Sequence, residues 1–247
     1  MTLDRASLRL LVAVCAVTLL CTIGVAMPYP ILAPIFVDGP VDGFTHFGGM
    51  SPEWLLGVAL AANPAGLLVG SLVIGPMSDR LGRRRVLVGT LLAGAVFNLA
   101  TAGALEARLY PLFVLARFAT GLTEGNIAVA RALLADHHGE ATRVRAFAWL
   151  NAFQYGGWLL GPLAGGLLLV FGDAVPFSSA AVAMLGCIGL VMIGVPAHRP
   201  DAAPPAARAA AGSTLAPLVH DPALRRLFLL QMAYMCGVTA LYDYAPL

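Results

Sequence analysis

The chain has 247 residues, is 59% hydrophobic and only 11% charged, and carries a formal net charge of +2, with a mean hydropathy of +0.83. Soluble domains are about half apolar and about a quarter charged, so this composition excludes an ordinary globular domain and indicates an all-α polytopic membrane protein. So small a net charge carries no signal for nucleic acid, and none is expected as a partner.

A membrane helix needs roughly 20 mostly apolar residues to cross about 30 Å of hydrocarbon. Seven such runs follow one another: Leu8–Phe36, Pro52–Met77, Val86–Leu105, Tyr110–Leu134, Ala146–Phe171, Val175–Val195 and Leu227–Leu247. Arg5 and Arg9 precede the first run, as in a signal peptide. The apolar stretch nevertheless continues past Met27 without a small-residue cleavage site, so it reads as a retained span. Residues 1–196 hold six spans. Residues 197–224, rich in Ala and Pro, read as a cytoplasmic linker. Residues 225–247 hold one further transmembrane helix.

Arginine placement orients the spans. With the N-terminus inside, Arg5, Arg9, Arg80, Arg83, Arg84, Arg85, Arg143, Arg145, Arg199, Arg208, Arg225 and Arg226 are all inner, and Arg108 stands alone among the outer loops. That asymmetry satisfies the positive-inside rule. The expected location is a multi-pass protein of a bacterial inner membrane with a cytoplasmic N-terminus. Cys15, Cys21, Cys187 and Cys236 fall inside apolar runs without a CxxC spacing. They read as small buried residues, not as a disulfide framework.

Between the second and third runs lies GPMSDRLGRRRVL, Gly75 to Leu87. Gly75 permits close helix packing and Gly82 a tight turn with positive φ. Asp79 can pair with arginines, and the arginine cluster can anchor to anionic membrane lipid. A generic basic loop needs neither the Asp nor fixed glycines. The stretch resembles the G-x-x-x-D-R-x-G-R-[RK] motif of the major facilitator superfamily, with Gly75, Asp79, Arg80, Gly82, Arg83 and Arg84 on its positions. The resemblance implies an inner-side latch that joins an acid at the inner end of span four, here Asp136. It also implies a fold of two six-span halves around a central site. This chain then supplies the six-helix N-terminal half plus span seven, and a missing C-terminal half is expected from the same gene or a second chain.

Span four carries ARFATGLTEGN, Ala116 to Asn126, with charges of both signs in an apolar run. Arg117 and Gly121 resemble the R-x-x-x-G motif of the drug:proton antiporter branch, which implies a role for Arg117 in proton coupling. Glu124 follows from no motif. On a continuous helix it lies about 10.5 Å from Arg117 along the axis, on the same stripe as Gly121, Ala128 and Arg131. Arg117 is about 9 Å into the span, shallow enough to snorkel. Glu124 is about 20 Å in, where a charge costs about 2.5–3.5 kcal/mol or more and a functional role is the default. Asn126 points away, as a packing contact.

Span five carries GWLLGPLAGG. Gly157, Gly161 and Gly165 line one helix face that admits a close neighbour, and Pro162 removes a backbone hydrogen bond and can bend the helix. With Gly166 the pattern resembles the G-x-x-x-G-P-x-x-G-G motif of superfamily antiporters, which implies packing against the absent half. Further polar residues in spans are Asn63, Asn98, Asn151, Gln154 and Tyr155. Asn151 and Tyr155 share a face and can line a cavity or glue helices. Span one departs from the branch: its prolines in MPYPILAP have a different spacing, and it has no acid from Leu8 to Phe36.

The expected function is secondary active transport, as proton-coupled antiport of small molecules by alternating access. An uptake symporter or facilitator, or a non-transporting partner subunit, are the alternatives. An enzyme is not expected, because no span offers a nucleophile–base pair or a two-histidine metal arrangement, and a nucleotide-driven pump is disfavoured because there is no phosphate loop. Neither a cofactor nor a metal is expected, and His137–His138 reads as a solvated loop.

Overall fold

The computed structural model describes residues 5–137, 139–196, 221–231 and 233. Contacts divide the chain into two units, Met1–Pro200 and Asp201–Leu247. In the second unit residues 222–231 are helical and exposed. Most of the linker and of the seventh apolar run lies outside the described residues.

The first unit is a bundle of eight α-helices among its described residues: α1 (Arg5–Ala26), α2 (Tyr29–Val37), α3 (Pro52–Leu81), α4 (Arg83–Glu106), α5 (Tyr110–Thr123), α6 (Asn126–His137), α7 (Glu140–Leu169) and α8 (Val175–Gly194), with a short 3-10 turn at Phe47–Gly49. They make up six spans, because α1–α2 and α5–α6 are each one interrupted crossing. The first break has a plain cause. Pro28 and Pro30 carry no N–H to donate one turn back, so α1 ends at Ala26 and the helix restarts with Leu32 N–H donating to Pro28 O at 3.0 Å.

The stretch between spans two and three is almost wholly helical rather than a loop. α3 runs four residues past its apolar run to Leu81, and α4 begins at Arg83. Gly82 alone is non-helical, at φ 94°, a value that favours glycine. The charges there end the hydrocarbon-compatible run without ending the helix, because they reach water beyond it.

Five segments are long and apolar enough to cross a membrane: Ser7–Val37, Pro52–Leu81, Arg83–Glu106, Tyr110–His137 and Val175–Gly194. α7 has 30 residues, but its glycines, Asn151 and Gln154 dilute its apolarity. Packing lays it alongside the crossing helices. α7 runs parallel to α1, with Gly157 against Leu19 and Thr22, Gly161 against Ile23 and Ala26, and Gly165 against Met27. α3 likewise runs parallel to α5, with Gly66 against Phe118 and Gly70 against Leu122. α8 runs antiparallel to α1, with Gly24 against Ala180 and Gly194 against Ala13. First and fifth spans parallel, second and fourth parallel, first and sixth antiparallel is the pattern of a chain that threads back and forth.

Two apolar clusters fill the bundle. One, toward the arginine-rich end, includes Leu10, Val14, Leu87, Leu91, Val129, Leu134, Leu150 and Val191. The other, at the opposite end, includes Ile31, Leu32, Phe36, Phe44, Leu55, Phe113 and Phe177. The second is closed by the 38–51 connection. Asp42 accepts the Phe44 and Thr45 N–H groups at 2.9 Å each, and Arg108 Nε approaches Asp42 at 3.6 Å while its guanidinium lies over the Phe44 ring. Burial raises the Asp42 carboxyl, but those N–H donors, Arg108 and the Thr45 hydroxyl outweigh it and hold it below its ordinary value.

Candidate functional site: a buried carboxyl in a broken span

The site is built by glycines where spans two and four cross. A Cβ on Gly66, Gly70 or Gly121 would come within 3 Å of backbone atoms of the facing helix, and Gly125 sits against the Gly70–Ser71 backbone. Without a hydrophobic drive between helices in a bilayer, close backbone approach through small residues is what joins them. Gly66 and Gly70 form a G-x-x-x-G pair in GLLVG, the sequence signal that marks this crossing.

Contact with α3 coincides with the break in span four. Glu124 N–H donates to Gly121 O at 3.0 Å and Ala128 N–H to Gly125 O at 3.2 Å, three-residue bonds in place of four-residue ones. The continuous stripe expected from helical spacing is therefore interrupted. Arg117, Gly121 and Glu124 are buried, whereas Ala128 and Arg131 are exposed. Arg131 instead donates to Gln154 Oε1 at 3.4 Å.

Glu124 is 4% exposed, and Asn63 on α3, 2% exposed, donates its side-chain amide to Glu124 Oε2 at 3.0 Å. Asn63 stands out in the sequence only as one polar residue among several. Its role comes from lying one turn before Gly66, which brings it level with Glu124.

Arg117 does not snorkel. It is 3% exposed, and its guanidinium lies 6.0 Å from the centre of the Phe177 ring on α8. The reason is coverage: Phe177 packs edge-on against Phe113 in the aromatic cluster that closes this end of the bundle. Among the described residues Arg117 Nε is buried without a hydrogen-bond acceptor. The ion pairs among the described residues are Arg83–Asp79, Arg83–Asp136 and Arg108–Asp42, so Arg117 and Glu124 are not in direct contact.

Asn151 and Tyr155 are not brought to this pair. Both are exposed on α7, Tyr155 at 70%. Asn126 is buried and reaches Cys21 Sγ at 3.8 Å. Among the described residues no three His, Cys, Asp or Glu side chains gather as a metal-ligand set.

At the arginine-rich end, Arg83 Nε donates to Asp136 Oδ2 at 2.6 Å and Arg83 Nη1 lies 3.2 Å from Asp79 Oδ1. Arg83 thereby joins span three to the ends of spans two and four. Arg84 donates to Met192 O at 2.9 Å, and Arg80 is exposed. Gly75 has no atom within 4 Å of where its Cβ would stand, so the close packing expected at that position is not made among the described residues.

The span-five glycines depart from the expected packing. Gly157 and Gly161 pack against α1 and Gly165 against Met27 just past its end, all within the same half, rather than against the absent half. Only Gly166 of the set has open space around it. Pro162 sits inside α7, which stays one continuous helix.

A family model described as Major Facilitator Superfamily matches residues 10–247. Among curated proteins, the chain is 31% identical over 182 residues to the class C tetracycline resistance protein of Escherichia coli, covering 72% of this chain and 43% of that protein. It is 28% identical to the multidrug resistance protein MdtL of Shewanella oneidensis (62% and 37% covered) and 33% identical to the 4-hydroxybenzoate transporter PcaK of Pseudomonas putida (61% and 37%). The chain thus spans less than half the length of these relatives. Among solved structures, the human organic anion transporter MFSD10 superposes with a TM-score of 0.62 at 22% identity, over 78% of this chain and 48% of that one, a likeness of fold.

Proposed function

The chain belongs to the Major Facilitator Superfamily, and from that premise we propose that it is the N-terminal half of a proton-coupled antiporter that exports small molecules. It is an integral multi-pass membrane protein of transporter kind, not an enzyme. The finer reading rests on one observation: a carboxyl buried at the crossing of spans two and four, held by a single side-chain amide and, among the described residues, by no ion pair.

A carboxyl in that position has two usable states. Charged, it is costly in the membrane interior and needs Asn63 or water. Neutral, it fits a closed, dry bundle. Arg117 is effectively always protonated and so cannot carry the cycle. Alternating access wets and dries the site in turn, and Glu124 takes a proton in one facing state and yields it in the other, with Arg117 setting the local field. The tetracycline and multidrug resistance relatives support export as the direction. The positive-inside asymmetry supports a cytoplasmic N-terminus, which makes the Arg83–Asp79–Asp136 triad an inner latch.

The test uses everted vesicles containing the complete transporter of which this half is part. Adding tetracycline to acid-loaded vesicles should release protons, and Glu124→Gln should abolish the release. Retained, drug-dependent release with an unchanged pH profile would remove Glu124 from the mechanism. The aromatic-acid transporter among the relatives favours a second reading, uptake of a small organic acid. In that case 4-hydroxybenzoate enters together with protons and tetracycline moves none.

A further inference from the structure

A crevice of about 450 Å³ lies between the arginine-rich ends of α3 and α4 and is also lined by the end of α5. It is lined by Ile74 and Met77 of α3, Arg85 and Gly89 of α4, and Leu122 and Thr123 of α5, and of these Arg85 is exposed whereas Thr123 is buried. Its volume falls within the range of ligand sites. The lining is nearly all apolar, unsuited to a water path or a polar substrate.

The arginines around it are not equivalent. Arg83 is bound to Asp79 and Asp136, and Arg84 to the Met192 carbonyl. Arg85 is exposed and no carboxylate lies within 4 Å of it among the described residues. A free cation at the end of an apolar slot, in the leaflet that holds anionic lipid, matches one occupant: a phosphate headgroup attached to an acyl chain. We infer that this crevice is a binding site for one anionic phospholipid of the inner leaflet, its phosphate on Arg85 and one acyl chain against Ile74, Met77 and Leu122. The chain's end then reaches Thr123, beside the broken turn that carries Glu124. The inference draws its orientation, but not the site, from the proposed function.

The experiment is native mass spectrometry of the full chain, titrated with phosphatidylglycerol and with phosphatidylcholine of the same acyl chains. One phosphatidylglycerol should remain bound in preference to phosphatidylcholine. Arg85→Gln should weaken it about fivefold, the contribution of one basic residue at a membrane surface. Gly89→Leu should block it by filling the slot, and a Cβ at Gly89 meets nothing within 4 Å, so the new side chain leaves the helix without a clash at its first carbon. Arg9→Gln, an exposed charge on α1, should have no effect. Equal weakening by Arg9→Gln would mean a diffuse charge effect, and no weakening by Arg85→Gln would mean a slot indifferent to headgroup. Competition by glycerol phosphate as strong as by the lipid would mean a simple phosphate site. Each of these three results overturns the inference.

Discussion

Asn63 on span two and Glu124 on span four share a hydrogen bond of 3.0 Å in a region where both are at least 96% buried. Sixty-one residues separate them in sequence, and the glycine-to-backbone crossing is what brings them level. Removing the amide leaves a buried acceptor with no side-chain donor. Such a loss costs about 1–3 kcal/mol. Asn63→Leu should therefore lower the thermal stability of the purified chain clearly. Glu124→Gln, whose amide oxygen still accepts, should lower it much less. A double-mutant cycle with Asn63→Ala and Glu124→Ala should return a coupling of about 0.5–3 kcal/mol. A coupling of zero would show that the bond is not formed in the membrane.

Much of this was legible in the sequence. The six spans of the first unit, the Gly82 turn and the acid at Asp136 each carry a local signal: apolar length, a glycine between charged helix ends, an acid at a span terminus. What was not legible is long-range. Helical spacing puts Arg117, Glu124 and Arg131 on one stripe, but spacing assumes an unbroken helix. The turn at Glu124–Gly125 lies against Gly70 of another span. Depth alone makes Arg117 shallow, yet Phe177, sixty residues later, covers it. The glycines of span five show one packing face, but nothing local says which helix fills it.

The crossing itself can be tested by glycines that differ only in what they face. Gly70→Ala places a methyl within 3 Å of the Leu122 backbone, which cannot yield as a flexible side chain does. It should part spans two and four, cut folded yield in membranes and move Glu124. Gly75→Ala and Gly103→Ala meet nothing within 4 Å and should be neutral or stabilising by up to about 1 kcal/mol, the helix advantage of Ala over Gly. The three variants compared by fluorescence-detected size exclusion after heating give the ranking. Equal behaviour of Gly70→Ala and Gly75→Ala would contradict the crossing.

Arg83 divides its guanidinium between Asp79 and Asp136, whose side chains are about half exposed. Exposed ion pairs are worth about 0.2–1 kcal/mol, so Asp136→Asn should barely change melting. Its effect should fall on transport, if the triad latches one facing state. In the complete transporter Arg83→Ala, which frees both acids, should impair turnover more than Asp136→Asn. The exchange of charges in Arg83→Asp with Asp136→Arg should restore only part, because Asp79 then repels the new acid. Full activity in Arg83→Ala would mean that the contacts are incidental to transport.

At the other end, Asp42 offers a pH-dependent measurement outside the spans. Its carboxylate accepts two backbone N–H groups and faces Arg108, and its affinity for a proton is lowered in the folded state. A group lowered on folding stabilises the fold fully above its unfolded value, about 3.9 for Asp. That contribution fades as pH falls through the folded value. Between pH 7 and pH 5 melting should therefore owe nothing to this group's titration, and below about pH 4 its contribution should decline. Asp42→Ala removes the acceptor of the Phe44 and Thr45 N–H groups and the Arg108 partner at every pH. The wild-type advantage over Asp42→Ala should accordingly be constant from pH 7 to 5 and shrink below about pH 4. Asp42→Asn keeps an acceptor oxygen for the N–H groups and should fall between the two at neutral pH, without the acid-dependent loss. An advantage that grew on acidification would reverse the sign and rule out a stabilising carboxylate at Asp42.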